Sequence, residues 1–356
     1  MSSTAPAPRS EPVEAMAVMA LHGHGGPSVI GMERIPVPRA APGEFRVRVL
    51  ACGVCGHDAL ARSGRIPSAS DAVLGHEIAG VVDSVGDDSL AAWLGRRVAL
   101  VQRRPCGVCA DCLTGSTNQC RSGPGFYGDD VQGGYAEFVL ADPLNAVLLP
   151  DSIDDATGAV LSCGVGTGFR AINASGCGSG DALLITGSAG GVGLNAVALA
   201  ASRGISVFAA TSSEAKGKAL LEAGAVEVLV RPDAGTVRAA AARHGFRRGV
   251  NAVLELTGAP TFALAVRSLA PRGRVVLVGN VDPRTLGLEG GLVIVKELSV
   301  TGSAHATRED LEAVVELVAS GALLSPRTHS RPLREVVAAH AALDARTQIG
   351  RTVVIP

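Results

Sequence analysis

The chain has 356 residues, of which 47% are hydrophobic and 18% charged, which is enough apolar material for the cores of two domains. Its 32 lysine and arginine residues nearly balance its 33 aspartate and glutamate residues, and only 3% of the residues are aromatic. The balanced charge gives no field that would attract nucleic acid or an anionic membrane, and the few aromatic residues argue against a base-stacking surface. We therefore expect a small-molecule substrate, with no nucleic-acid and no membrane partner.

Residues 1–14 are rich in serine, proline and alanine and contain no apolar signal core. We interpret them as a disordered leader and not as a secretion signal. No apolar run approaches the roughly 20 residues that a membrane-spanning helix needs. The prediction is a cytoplasmic protein, in which the eight cysteines are metal ligands or buried thiols and not disulfides. Cys52 and Cys177 are expected to be buried thiols.

A β-rich domain is predicted over residues 15–150, where short runs such as 45–50, 78–82 and 97–101 are separated by glycine, proline and aspartate turns. Farther along, residues 182–186, 207–210, 252–256 and 275–278 read as buried strands that alternate with alanine-rich helical runs. This alternation is typical of a parallel, doubly wound sheet. A helix over 308–320 and a final strand over 351–355 are predicted to return the chain to the first domain.

One candidate metal site is dispersed along the chain, at Cys55, His76 and Cys163. Two thiolates and one imidazole leave a fourth coordination position free, which is typical of a catalytic zinc. Asp58 and Glu77 are carboxylates that would orient His76 or approach the metal. Taken singly, these residues would be buried thiols or a hydrogen-bonded core histidine, and that alternative stays open at this point.

A second candidate metal site is compact. Cys106, Cys109, Cys112 and Cys120 form the pattern C-x2-C-x2-C-x7-C, so half of the eight cysteines fall within 15 residues. Four thiolates close the coordination shell of a tetrahedral zinc, which predicts a structural site and makes four unrelated free thiols a poor alternative. Arg103 and Arg104 just before the quartet are interpreted as a solvated surface pair, with contact to an anionic substrate as the alternative.

A glycine-rich turn follows the strand at 182–186 and opens a helix. Gly190, Gly191 and Gly193 would let the backbone approach a pyrophosphate at the N-terminus of that helix. The next strand ends in Thr211, Ser212 and Ser213, followed by Lys216, where an NAD enzyme usually has an acidic residue. Hydroxyls and a cation suit a 2'-phosphate. We predict NADP(H) in preference to NAD(H), although Glu214 is an objection and these residues could instead cap the next helix.

These motifs, in the order GVCGHD, GHE, the cysteine quartet, SCG and AGGVG, resemble those of zinc-containing alcohol dehydrogenases of the medium-chain dehydrogenase/reductase superfamily. The resemblance implies an α/β chain with a GroES-like catalytic domain over 15–163 and 301–356, including a structural zinc lobe over 103–121. A Rossmann NADP(H)-binding domain would cover 164–300. Two zinc ions per chain and a homodimer or homotetramer are also implied.

The resemblance further implies roles for single residues. Cys55, His76 and Cys163 would bind the catalytic zinc, Glu77 would lie behind it, and Asp58 would hydrogen-bond His76. Gln102 would face the substrate cavity. The predicted cofactor contacts are Gly187, Ser188, Gly190, Gly191, Val192, Gly193, Thr211, Ser212, Ser213, Lys216, Gly279, Asn280 and Arg351.

Two positions depart from the pattern of that family. The family has serine or threonine two residues after the first ligand to relay the alcohol proton, and this chain has His57 there. The family's relay histidine three residues later is replaced by Leu60. An imidazole can act as a general acid or base near neutral pH, so His57 is predicted to exchange the proton itself.

Three functions are compared. The favoured one is hydride transfer between NADP(H) and an alcohol or carbonyl substrate at a catalytic zinc. Segments 278–283, 292–298 and 301–307 resemble a subgroup that includes acryloyl-coenzyme A reductases, so the alternative is conjugate reduction of an α,β-unsaturated carbonyl, by an enoyl thioester reductase or a natural-product reductive cyclase. A non-catalytic binding protein on the same scaffold would require a damaged metal site or cofactor loop.

Overall fold

The computed structural model describes residues 14–282 and 284–356. The predicted leader therefore lies outside the described residues, apart from Glu14. The strands are β1 (Ala15–Leu21), β2 (Ile30–Pro36), β3 (Phe45–Gly53), β4 (Glu77–Val85), β5 (Arg97–Leu100), β6 (Arg103–Arg104), β7 (Gly125–Phe126), β8 (Phe138–Ala141), β9 (Ala146–Leu148), β10 (Ala182–Ile185), β11 (Ser206–Thr211), β12 (Glu227–Val230), β13 (Val250–Glu255), β14 (Leu269–Leu277), β15 (Ser299–Gly302), β16 (Thr328–Pro332) and β17 (Arg351–Ile355).

The α-helices are α1 (Gly56–Arg62), α2 (Ala110–Leu113), α3 (Asp155–Val160), α4 (Thr167–Ser175), α5 (Gly191–Ser202), α6 (Gly217–Glu222), α7 (Ala234–Arg243), α8 (Ala259–Ser268), α9 (Gly290–Lys296), α10 (Arg308–Ala319) and α11 (Val336–Asp344). A π-helix, Leu161–Gly166, joins α3 to α4. Within the described residues, none of the helices is long and apolar enough to cross a membrane.

The first sheet has the order β16-β17-β3-β4-β5-β9, with β8 also paired to β3. β17 is antiparallel to β3, so the C-terminal strand closes onto the first domain as predicted. Inward-facing residues alternate along β3 because successive side chains point to opposite faces of a strand. Phe45, Val47 and Val49 are all buried in one apolar core.

The second sheet has the order β12-β11-β10-β13-β14-β15, and every neighbouring pair is parallel. The four residues of β10 are all buried, as expected of a strand covered on both faces. Together with the first sheet, this confirms the predicted fold class, a GroES-like β-rich domain and a doubly wound Rossmann domain. β15 runs to Gly302, so this sheet extends two residues beyond the predicted bound of 300.

The two strands that flank β10 leave on opposite sides of it, β11 on one side and β13 on the other. The strand order reverses at this point, and open α/β sheets bind ligands in the crevice that such a reversal leaves at the carboxyl ends of the strands. The glycine-rich turn follows β10 directly, so the topology places it at that crevice.

Candidate catalytic metal site and cofactor cleft

Four buried side chains meet at the junction of the two domains. Cys55, His76, Glu77 and Cys163 each offer one ligand atom, and these atoms all lie within 4.8 Å of one another. The two thiol sulfurs are 3.8 Å apart. The structure thus brings together the three predicted zinc ligands and the glutamate predicted to lie behind them.

Backbone geometry explains why residues so far apart in sequence converge. The antiparallel pairing of β3 with β4 sets Gly53 opposite Glu77, which brings Cys55, two residues after β3, close to His76, the residue before β4. A Cβ at position 53 would lie 2.0 Å from Glu77 Oε2, so only glycine allows this approach. The π-helix carries Cys163 to the same point from the other side. π-Helical turns are frequent at functional sites.

The donor atoms fit a zinc ion. The hydrogen bond with Cys163 lowers the pKa of Cys55 well below its usual range, while the pKa of Cys163 is raised, so the two sulfurs share one proton. A thiolate beside a thiol and an imidazole is the donor chemistry that zinc prefers. Both carboxylate oxygens of Glu77 are buried and lack a hydrogen-bond partner among the described residues, which favours a cation close by.

Burial and a neighbouring cation have opposite effects on the pKa of Glu77. Burial raises its pKa to about 7, and the neighbouring Arg351 guanidinium opposes that shift. Arg351 Nη2 lies 2.9 Å from Glu77 Oε1. The two groups form an ion pair, but their angles do not meet those of a hydrogen bond. The same guanidinium reaches the cofactor helix, where a Cβ on Gly191 would lie 2.5 Å from it. Arg351 therefore connects the metal site to the start of α5.

Asp58 orients the histidine ligand. Its Oδ1 lies 3.0 Å from His76 Nδ1, and its Oδ2 accepts from the backbone N–H of Cys55 at 2.8 Å. Burial opposes the ionisation of Asp58, yet the His76 ring outweighs burial and holds the pKa of this carboxyl below its usual range. With Nδ1 occupied by Asp58, Nε2 of His76 is the nitrogen that remains for a metal.

The cysteine quartet forms a second cluster. Cys106, Cys109, Cys112 and Cys120 each place a sulfur within 4.8 Å of the other three. Burial opposes ionisation of Cys120, but backbone N–H groups of Cys106 and Ser122 lower its pKa to about 6. A lobe with four thiols this close, two of which (Cys106 and Cys120) have pKa values lowered by backbone N–H groups, fits a closed tetrahedral metal shell.

The glycine-rich turn is shaped for close approach. Gly187 has a φ of +58°, a conformation that glycine adopts without strain. A Cβ on Gly193 would lie 2.6 Å from the Gly187 carbonyl oxygen, so the turn closes only around glycine. α5 begins at Gly191 after Gly190, and within the described residues no side chain caps its first N–H groups. Free N–H groups at a helix start suit a phosphate.

The remaining predicted cofactor residues occupy different surroundings. Ser188 is buried, and its hydroxyl donates to the Ala210 carbonyl at 2.9 Å, so that hydroxyl hydrogen is already used within the fold. Gly279 packs on the Leu256 carbonyl, and Asn280 lies beside Gly258. Gly279 and Asn280 both follow the carboxyl end of β14. Val192 is half-buried in the first turn of α5.

The predicted 2'-phosphate residues lie where β11 ends. Thr211 is the last residue of that strand, and its hydroxyl accepts from the backbone N–H of Ser213 at 3.2 Å, while Ser212 is exposed. Lys216 donates to the Gln348 carbonyl across the cleft. Burial, and next the neighbouring Arg346 cation, lower the pKa of Lys216. Arg346 is a second cation near Lys216 that the sequence pattern did not single out.

Known proteins can be compared with this geometry. Residues 41–151 match the alcohol dehydrogenase GroES-like domain, and residues 191–320 match the zinc-binding dehydrogenase family. The chain is 30% identical to an alcohol dehydrogenase of Geobacillus stearothermophilus over 86% of this chain and 89% of that protein. The chain belongs to the medium-chain dehydrogenase/reductase superfamily. It is an alcohol-dehydrogenase-like oxidoreductase of that superfamily.

Two further similarities extend over nearly the whole chain. An acryloyl-coenzyme A reductase of Sulfurisphaera tokodaii is 29% identical over 91% of this chain and 96% of that protein. The crystal structure of AibC superposes with a TM-score of 0.88 at 39% identity, covering 97% of this chain and 96% of that one.

In this oxidoreductase, the structure gives His57 a partner that the motifs did not reveal. His57 Nε2 lies 2.7 Å from Asp129 Oδ2. The His57 ring also packs on Phe126 at 4.9 Å and on His76 at 5.2 Å between ring centroids, and Phe126 packs on His305 at 4.8 Å. Asp129 and His305 lie in loops and Phe126 in the two-residue strand β7, and none of the three carries a spacing signal, so sequence patterns alone could not have found them.

The interpretation of Arg103 and Arg104 as a solvated surface pair was wrong. Arg104 is buried and forms ion pairs with Glu44 at 2.7 Å and Asp142 at 3.2 Å. Arg103 is also largely covered and donates to the Cys120 carbonyl at 3.1 Å. The two arginines form β6, which pairs Arg103 with Phe126 and Arg104 with Gly125 of β7 next to the cysteine quartet.

Gln102 is fully buried, and neither its amide nitrogen nor its amide oxygen has a partner within the described residues. β4 pairs Ile78 with Leu100, so extending the register by two residues sets Gln102 opposite His76. A buried amide without hydrogen bonds is costly. That Gln102 faces the substrate cavity, as the family resemblance implies, stays a prediction.

Proposed function

We propose that this protein is a zinc-dependent NADPH reductase that delivers hydride to the β-carbon of an α,β-unsaturated acyl thioester. The observation that carries the proposal is the His57–Asp129 pair beside the metal-ligand set, 2.7 Å between Nε2 and Oδ2. A serine or threonine hydroxyl at this position can only relay a proton, whereas an imidazole can hold one and give it up. A reduction that must protonate a carbon needs such a donor.

The name of the Sulfurisphaera tokodaii relative supports the thioester as substrate class. Bound in this cleft, NADPH would supply the hydride and zinc would polarise the substrate carbonyl oxygen. Cys55, His76 and Cys163 would hold the metal, and the Gly187–Gly193 turn would hold the pyrophosphate. His57 would then give its proton to the α-carbon, so that one hydride and one proton saturate the double bond.

NADP(H) is the proposed cofactor because two cations converge where the ribose phosphate would lie. Lys216 and Arg346 are close enough for Arg346 to affect the pKa of Lys216. Thr211 and Ser213 add hydroxyls next to them. Two cations and hydroxyl groups are the partners that a phosphate dianion takes in proteins. The exposed Glu214 lies on the following turn and leaves this pair of cations in place.

Reduction of a carbonyl group itself, or oxidation of an alcohol, is the second candidate. It is favoured by the ligand set of two thiols and one imidazole with a fourth position left free, which is typical of zinc enzymes that bind a substrate oxygen directly. The similarity to alcohol dehydrogenases, at 30% identity for the Geobacillus protein, supports it as well. His57 would then exchange its proton with the oxygen and not with a carbon. A purely binding role is not favoured, because both the ligand set and the glycine turn are complete.

A homodimer is the proposed assembly. β15 is the edge strand of the Rossmann sheet. Ile294 and Val295 on the preceding helix α9 are 76% and 82% exposed, and Val300 on β15 is also exposed. An open edge strand flanked by exposed aliphatic side chains is a surface that proteins normally cover.

The test offers both reactions to one active site. The purified protein is incubated with NADPH or NADH and a small α,β-unsaturated ketone, and in parallel with the matching unsaturated acyl-coenzyme A, and the products are identified by NMR. We expect saturated products, faster turnover with NADPH, and no reaction with Cys163→Ser. His57→Asn should lower kcat by about 100-fold, as loss of a general acid does. An allylic alcohol as the product would replace the proposal by the second candidate.

A further inference from the structure

A chain of buried polar side chains leads away from the metal site through residues that the proposed reaction does not use. Asp58 Oδ2 accepts a hydrogen bond from the Tyr135 hydroxyl at 2.9 Å. Tyr135 Oη lies 3.2 Å from His340 Nε2, and His340 Nδ1 lies 3.0 Å from Arg62 Nη1. The chain ends at Asp344, 2.7 Å from Arg62 Nη2 and partly exposed.

The polarity of the links follows from Arg62, which can only donate, and from the Asp58 carboxylate, which can only accept. Arg62 has no acceptor, so His340 Nδ1 must accept from it. The hydrogen of the neutral His340 ring is then on Nε2, and it points to the Tyr135 oxygen. Burial lowers the pKa of His340 to about 4, which keeps the ring neutral. Tyr135 in turn has its own hydrogen free to donate to Asp58.

Asp58 accepts hydrogen bonds from this chain and from the metal site. Its Oδ2 accepts from Tyr135 and from the Cys55 N–H, which leaves Oδ1 for the Nδ1–H of His76. A His76 ring that is protonated on Nδ1 has its Nε2 lone pair free for a metal. Because Asp58 can only accept and Arg62 can only donate, the direction of each hydrogen bond between them is fixed from both ends of the chain.

Packing supports a defined geometry for this chain. Tyr135 and His340 are completely buried, and Arg62 and Asp58 are almost so. A Cβ on Gly75, the residue before His76, would lie 2.7 Å from the Tyr135 ring, so the ring rests directly on this backbone. Arg62 is also anchored by its Nε, which donates to the Gly25 carbonyl at 3.1 Å.

We infer that Arg62, His340 and Tyr135 form a hydrogen-bond chain of fixed polarity that holds Asp58 and the metal-binding tautomer of His76, which makes Tyr135 and His340 positioning residues for the catalytic metal. The inference rests on the proposed metal site. Outer partners of metal-binding histidines typically change metal affinity by about 10–100-fold when they are lost.

The experiment measures metal binding and not turnover. Zinc is withdrawn from the purified full-length protein by a chromophoric chelator, and Cys163→Ser identifies the phase that belongs to the catalytic site. Cobalt(II) is then titrated into the metal-free site, and its d–d absorption bands report the ligand field. Tyr135→Phe and His340→Leu break the chain. His340→Gln retains an acceptor for Arg62 and a donor for Tyr135.

Tyr127→Phe is the matched control. Its hydroxyl is equally buried and donates to the Leu140 carbonyl at 2.7 Å, but it has no link to Asp58. We expect Tyr135→Phe and His340→Leu each to weaken zinc binding at the catalytic site about 10-fold and to shift the cobalt bands. Tyr127→Phe and His340→Gln should leave both unchanged, and the cysteine quartet should keep its zinc in every variant.

Unaltered zinc affinity and cobalt spectra in both Tyr135→Phe and His340→Leu would overturn the inference. If one of these variants does not fold, the result from the other variant decides whether the inference stands. If Cys163→Ser removes no zinc phase from the protein, it is the proposed metal site that fails.

Discussion

His340 shows how burial decides the protonation of one side chain. The ring is completely buried against Arg62 and Tyr135, and burial lowers its pKa from an ordinary 6.5 to about 4. Between these two values the unfolded chain binds a proton that the folded chain excludes, so the free energy of unfolding falls as the pH falls. At about 1.4 kcal/mol per pKa unit, this histidine costs roughly 2 kcal/mol of stability on going from pH 6.5 to pH 5.

His340→Gln should remove that cost while it keeps both hydrogen bonds. We expect the stability of the wild type relative to His340→Gln to decrease by about 2 kcal/mol between pH 7.5 and pH 5, as measured by urea unfolding of both proteins in the same buffers. Acid loss of zinc affects both proteins alike and cancels in the difference. A difference that stays constant with pH would show that His340 takes up its proton over the same pH range in the folded and the unfolded chain, and would contradict this prediction.

The glycine turn between β10 and α5 is an element whose geometry leaves no room for side chains. Gly193→Ala would bring a Cβ to 2.6 Å from the Gly187 carbonyl oxygen and 2.7 Å from the Ser188 Cα, both of them backbone atoms. Since backbone cannot yield as a flexible side chain can, the turn must open. We expect NADPH to bind at least about 10-fold more weakly, because the backbone N–H groups at the start of α5 would no longer point at the pyrophosphate.

Fluorescence titration with NADPH measures this effect. Gly178→Ala is the control, since a Cβ at that position in the same domain meets nothing within 4 Å. Wild-type affinity in Gly193→Ala would mean that the cofactor does not use this turn.

On the scale of the whole molecule, the exposed edge of the Rossmann sheet predicts association. Val295→Glu places a charge in the exposed apolar patch that also includes Ile294 and Val300. Burying an unpaired charge in an interface costs more free energy than a small apolar patch can supply. We expect the wild type to be dimeric and this variant to be monomeric by light scattering after size-exclusion chromatography. Leu324→Glu, a change at an equally exposed leucine (82%), should leave the mass unchanged. A wild-type monomer would contradict the proposed dimer.

The fold class and the donor sets follow from the sequence because they depend on local spacing. Thiols at C-x2-C intervals must lie close together, and a glycine-rich turn after a buried strand has few ways to fold. The alternation of short buried strands with helical runs led to the doubly wound sheet, which the structure confirms. The dispersed residues Cys55, His76 and Cys163 were grouped by donor chemistry and family resemblance, and β3, β4 and the π-helix bring them together.

Only the tertiary structure decided which side chains face one another across long separations. His57 meets Asp129 from 72 residues away, and Arg62 meets His340 from 278 residues away. Arg104 was predicted to be a solvated surface cation, but it is buried and forms ion pairs with Glu44 and Asp142, which lie 60 and 38 residues away in the sequence. Such contacts are set by sheet register and by the packing of loops, and a single sequence carries no periodic signal for either. The sequence by itself therefore determined the donor groups and the fold, and the tertiary structure determined their partners.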